Sequence, residues 1–177
     1  MASQDIASAL QRVEAVLRRR PESGLHEDAP GIARWQGGLR MMASHAGCTQ
    51  VLTDMPAELG GTGDQVSPGW LMRAGIASCA ATCVVMAAAA EGIELAMLEV
   101  EACSRSDARG LLGMTDADGS EIDAGPLDIR LLVRVSAPGV PAERLRKLVE
   151  RSHRHAPVSS TVRTAVRMDL QIEVGVG

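Results

Sequence analysis

Two cysteines, Cys79 and Cys83, stand four residues apart inside a run of seventeen uncharged residues, Ala74 to Ala90. On a helix that spacing puts both thiols on one face, beside Met72, Ile76 and Met86. Such a pair can pack as small apolar filler, act as a nucleophile, or hold a soft metal ion. Nucleophilic use needs help, because a free thiol with a pKa near 8.5 is only a few per cent thiolate at neutral pH. A disulfide between the two would strain the helix: β-carbons one turn apart lie about 5–6 Å from each other, whereas a disulfide wants about 3.5–4.5 Å. Cys48 beside a predicted turn and Cys103 on the polar side of a predicted strand have no evident partner, and both read as structural, as do His26 and His45.

The element that must carry the thiols is well delimited. Ser67 is a good N-cap, Pro68 fits the first helical position and Gly92 fits a C-terminal stop, so a helix is expected from Pro68 to Glu91. A membrane span of that length needs about 20 strongly apolar residues. This run is mostly Ala with Ser, Cys and Thr, which suits a helix buried inside a folded protein, and no membrane partner is expected.

Around it, Ile6, Leu10, Val13, Val16 and Leu17 predict a helix over 4–20, stopped by Pro21 after Arg18, Arg19 and Arg20. Segments 32–35, 39–44 and 50–53 predict a three-stranded meander with turns at Gly37-Gly38 and Ala46-Gly47. A glycine-rich loop, 59–64, leads into the cysteine helix. Alternation around Leu98 to Ala102 and Leu127 to Leu131 predicts two half-buried strands joined by a Gly, Asp and Ser-rich connection over 104–125. A helix opens at Pro141 and ends at Pro157, and the clearest alternation of all, Val166 to Val174, predicts a last strand. This order indicates an α+β domain with helices packed on antiparallel sheets.

Apolar residues make up 46% of the chain and charged residues 23%, which places it among folded globular proteins, and its length suits one domain. The net charge of -4 is spread along the chain, Phe and Tyr are absent, and only Trp35 and Trp70 are aromatic, so neither a basic footprint nor a stacking platform for nucleic acid exists. The first twenty residues alternate charged and apolar positions and do not read as a secretory signal, so a cytoplasmic location with reduced thiols is expected.

The stretch SPGWLMRAGIASC, residues 67–79, resembles the helix of the OsmC/Ohr thiol peroxidases that carries their peroxide-attacking cysteine. Asp54-Met55-Pro56 with Gly60-Gly61 upstream, and Pro157-Val158-Ser159 downstream, resemble two further signatures of that family, in the same order. The similarity spans roughly 31–175, so residues 1–30 are expected to form an N-terminal helix and linker ahead of an OsmC-like domain over 31–177. The resemblance implies an intertwined homodimer around two crossing cysteine helices, each subunit's sheet completed by its partner. It makes Cys79 the attacking thiol and calls for an arginine and a glutamate beside it. Gly69 and Trp70 occupy the glutamate's place; Arg40 is the candidate arginine, ahead of Arg73, which is turned about a third of a circle from Cys79. The second cysteine of the family is replaced by His155-Ala156, leaving Cys83 as a stand-in.

Two functions follow as expectations. The first is reduction of organic hydroperoxides by Cys79, with Cys83 and Arg40, in a weakened form that depends on an external thiol reductant and on no cofactor. The alternative is a non-catalytic homodimer holding a small hydrophobic ligand around Met72, Ile76, Cys79 and Met86, with His155 close by. The resemblance also brings His155 towards the thiols, where a Cys79, Cys83, His155 cluster would suit zinc or a thiolate-stabilising imidazole; the competing reading is a solvated histidine at a helix C-terminus. No metal is assigned.

Overall fold

The structure is a computed structural model that describes residues 3–164 and 166–175. Its centre is helix α2, Pro68–Ala90. Ser67 accepts a hydrogen bond from the Trp70 N–H at one end. At the other end Gly92 turns left-handed at φ 66° while the Ile93 N–H reaches back to the Ala88 carbonyl.

Ahead of it, β1 (Ile32–Trp35), β2 (Met41–Ser44) and β3 (Gln50–Thr53) form an antiparallel sheet in the order β1-β2-β3. The first hairpin closes at Trp35 opposite Met41, with Gly37 and Gly38 both at positive φ, so Leu39 and Arg40 belong to the turn and not to the strand the sequence suggests. After α2, β4 (Met97–Ser106) and β5 (Pro126–Ser136) pair antiparallel over nearly their whole length. The connection between them holds a short helix, α3 (Ala108–Leu111), capped by Asp107. Helix α4 (Ala142–Arg154) follows, and Pro157, expected only as a stop, also opens another helix, α5 (Pro157–Arg163).

The core lies where α2 and α4 meet, with Val84, Ala88, Ile93, Leu145 and Leu148 buried and Leu98 and Val135 of the β4-β5 pair packed against them. The N-terminal helix α1 (Ser3–Arg19) lies on α2; Ile6 and Leu10 are half-buried, while Val13 on the same stripe stays 56% exposed. The α+β class with antiparallel sheets therefore stands.

Two further expectations are corrected. The segment from Val166 to Val174 is not a strand: Val166, Met168, Leu170, Ile172 and Val174 are 65–93% exposed and no ladder includes them. Alternation specifies which faces a strand would show, but a strand forms only against another strand that satisfies its amides. The second concerns α2, which is not buried all round. Ile76, Ala80, Val84, Ala88 and Ala89 are buried, whereas Met72, Val85 and Met86 are exposed on its other side. By length and composition α2 could cross a membrane, but here β4, α4, α5 and α1 all pack on it.

Candidate functional site

Cys79 and Cys83 are free thiols, both half-buried, at the border between the covered and uncovered sides of α2. Burial pushes the Cys83 thiol up, and the neighbouring Cys79 sulfur, by charge and by hydrogen bonding, pushes it further. Cys83 is thereby kept protonated, an S–H donor beside Cys79. The segment before Pro157 does approach this helix, but through its backbone: the Cys83 Sγ lies 4.0 Å from the His155 carbonyl oxygen. The His155 ring is exposed, and among the described residues no group of three or more His, Cys, Asp or Glu side chains is placed to hold a metal ion. The Cys79, Cys83, His155 cluster is therefore not formed, because α4 ends with that side chain turned to solvent. Cys103 does have a neighbour: its thiol lies 3.2 Å from Glu101 Oε1.

Arg40 sits elsewhere, in a polar knot at the foot of α2. Its Nη2 donates to both oxygens of Asp64 at 2.6 Å and to Thr62 Oγ1 at 2.8 Å, and its Nε lies 3.7 Å from Asp54 Oδ2. Asp54 is only 1% exposed, yet every side of it is met by a donor: the Met55 N–H, the Thr62 N–H and the Thr62 hydroxyl. Those bonds hold the Asp54 carboxyl below its ordinary range, the Thr62 hydroxyl contributing most. Thr62 and then Arg40 likewise hold Asp64 low. Since both folded values are depressed, the stability these carboxylates give is present above the ordinary carboxylate range and is lost as pH falls below about 4.

The Asp54-Met55-Pro56 and Gly60-Gly61 signatures thus have a physical meaning that the sequence reading left unassigned: they build this loop. A β-carbon at Gly61 would stand 1.8 Å from the Met55 carbonyl oxygen and 2.9 Å from Asp54 Oδ1. Gly61→Ala should therefore force the loop off Asp54 and lower Tm by about 3–10 °C, from an overpacking cost of about 1–3 kcal/mol. A melting curve within 1 °C of the wild type, taken as about the error of the method, would contradict this close approach.

No described hydrogen bond or ion pair joins Arg40 to Cys79, and geometry explains why. Asp64 precedes the helix start, and Cys79 lies eleven residues beyond Pro68, about 16 Å along the axis. Arg73 is turned away too, its Nη1 3.3 Å from Ser104 Oγ on β4.

A cavity of about 690 Å³ opens on the covered side of α2, between Ile76, Ala80 and Val84, the inner side of β5 at Leu131 and Val133, and Ser159 of α5. Of the apolar residues expected around Cys79, only Ile76 lines it; Met72 and Met86 lie on the exposed side with the thiols. His153 Nδ1 and Ser159 Oγ are buried there without a hydrogen-bond partner.

The family model described as OsmC-like protein matches residues 61–171, from the loop beside Asp64 to the last apolar segment. Comparison with curated protein sequences finds no match. Among solved structures, an OsmC-like protein from Mycoplasma pneumoniae superposes with a TM-score of 0.65 at 16% identity, covering 80% of this chain and 91% of that one. An organic hydroperoxide resistance protein from Elizabethkingia anophelis gives 0.57 at 20% identity, covering 80% and 91%. The organic hydroperoxide resistance protein OhrB of Bacillus subtilis gives 0.51 at 23% identity, covering 78% and 93%. The fold, the cysteine helix at its centre and the extent of the family match together establish that this chain belongs to the OsmC-like family.

Proposed function

We propose that the protein is a thiol peroxidase that reduces organic hydroperoxides through Cys79, working as a homodimer. The observation that carries this reading is the half-exposed Cys79 on the central helix of an OsmC-like chain, beside a second thiol that is held protonated. The Cys79 thiolate attacks the outer oxygen of ROOH, the O–O bond breaks, and the departing alkoxide takes a proton to leave as ROH, giving Cys79 sulfenic acid. One external thiol then forms a mixed disulfide with loss of water, and a second releases reduced Cys79 with formation of the external disulfide. Cys83 lies on the same face but one full turn away, with its S–H directed at the His155 carbonyl, so it is not a disulfide partner for Cys79.

The dimer is supported by what a single chain leaves uncovered. Ser78, Thr82, Val85 and Met86 form an exposed side of α2 beside the thiols, and five apolar side chains of 166–174 are exposed as well. In such a dimer Arg40, which is remote from the Cys79 of its own chain, serves the Cys79 of the partner. Sedimentation should give twice the 18.6 kDa chain mass. Thr82→Arg, nearly neutral on an exposed helix face, should yield a folded monomer of lower activity. A wild-type monomer that turns over peroxide at full rate would overturn the dimer.

The cavity supports a second reading, a dimer that holds a small hydrophobic ligand without converting it, since about 690 Å³ of largely apolar space falls in the range of ligand sites. The two readings separate in one assay: cumene hydroperoxide consumed in the presence of dithiothreitol favours the enzyme, and no consumption favours the binder.

A further inference from the structure

Among the described residues Asp54 is the buried carboxylate, and a buried charge persists only when it is paired. The chain meets this need with backbone and hydroxyl donors from Met55 and Thr62, so the loop is anchored before Asp64 is considered. Asp64 is different. It is half-exposed, and its carboxylate takes hydrogen bonds from the side chains of Arg40 and Thr62. The single hydroxyl of Thr62 lies 2.6 Å from an oxygen of Asp54 and 2.6 Å from an oxygen of Asp64, and one hydroxyl proton can satisfy only one of them at a time. Two carboxylates can crowd one hydroxyl in this way because the Arg40 guanidinium lies against both, and they in turn fix its plane. Two edges of the guanidinium are thereby used, Nε towards Asp54 and Nη2 towards Asp64, while Nη1 has no hydrogen-bond partner among the described residues. The Arg40 side chain as a whole is 32% exposed, so it is not sealed from an incoming anion.

We infer that Asp64, with Thr62, is a positioning residue for the peroxidase reaction: it locks Arg40 so that the free Nη1 edge is presented to the Cys79 thiolate of a second copy. This rests on the peroxidase reading above. The helix start offers no carboxylate at Gly69 or Trp70, and the loop just ahead of it supplies one from another direction. Asp64 touches no substrate in this scheme. It acts by preventing Arg40, a long side chain with many rotamers, from leaving the geometry in which its charge favours the thiolate.

The test compares wild type, Arg40→Ala, Asp64→Asn, Asp64→Glu and the Arg40→Ala/Asp64→Asn double variant. It reads the second-order rate of Cys79 oxidation by cumene hydroperoxide, the pH profile of Cys79 alkylation by iodoacetamide, and the melting temperature. Arg40→Ala should slow oxidation about a hundredfold and Asp64→Asn about tenfold. The double variant should be no slower than Arg40→Ala, since Asp64 works through Arg40. Both single variants should move alkylation to higher pH, and Asp64→Glu should recover much of the rate; Asp64→Asn should melt close to wild type because Asp54 still holds the loop, whereas Arg40→Ala leaves the buried Asp54 carboxylate without its guanidinium and should melt lower. A wild-type rate for Asp64→Asn beside a slow Arg40→Ala overturns the role of Asp64 and leaves the peroxidase reading intact. Additive losses in the double variant overturn it as well, because Asp64 would then act independently of Arg40. Fast oxidation in Arg40→Ala removes Arg40 from the chemistry and Asp64 with it. An inert wild type overturns the peroxidase reading itself, and with it the positioning role.

Discussion

Cys79→Ser is expected to abolish hydroperoxide reduction, with a loss on the order of a thousandfold or more in steady-state consumption. A serine hydroxyl is not ionised at neutral pH and cannot form a stable sulfenic acid analogue, so both the nucleophile and the intermediate vanish together. The fold should be untouched, because the position is half-buried and serine is close to cysteine in volume. Cys83→Ser is the informative companion. If Cys83 serves as a hydrogen-bond donor, a hydroxyl replaces it well and the variant should keep most of its first-turnover rate. If instead Cys83 captured the sulfenic acid, the oxidised variant would accumulate where the wild type forms an internal disulfide, which intact-mass measurement distinguishes as a gain of one oxygen against a loss of two hydrogens.

Leu148→Ala should have the largest effect on stability. Leu148 is 1% exposed and packs within the cluster of Val84, Ala88, Ile93 and Leu145, where α4 is pressed onto α2. Removing its three outer carbons costs transfer free energy and leaves a cavity that alanine-rich α2 cannot fill, about 3 kcal/mol together. Tm should fall by about 6–12 °C. The hydrophobic core of one chain is small, so the loss should also reach α5 and the 155–156 segment that lies against Cys83, weakening activity through position and not through chemistry. A fall below about 2 °C would mean that Leu148 is not the keystone described here.

Much of the architecture was legible because local rules agreed with one another. Ser67, Pro68 and Gly92 delimit α2 by capping chemistry alone, and Gly37-Gly38 places the first hairpin turn by backbone freedom. Where legibility failed, the missing information was non-local. Val166 to Val174 has the right period for a strand but no neighbour within this chain to pair with. Met72 and Met86 share a helix face with Cys79, as the spacing requires, but the cavity formed on the other side of α2, where β5 and α5 arrive from distant parts of the chain. Arg40 was identified by resemblance, whereas its partners Asp54, Thr62 and Asp64 were not, because nothing in a glycine-rich loop announces that it will wrap around a carboxylate. The Gly60-Gly61 pair carried that signal; only the clash at Gly61 shows what it meant.

Stopped-flow mixing of the reduced protein with cumene hydroperoxide, followed by intact mass, decides whether Cys79 is a peroxide-reactive thiol. Rapid, stoichiometric gain of about 16 Da per chain is expected, mapped to Cys79 and absent in Cys79→Ser. A thiol that stays reduced under millimolar hydroperoxide would contradict it and leave the ligand-binding reading in its place.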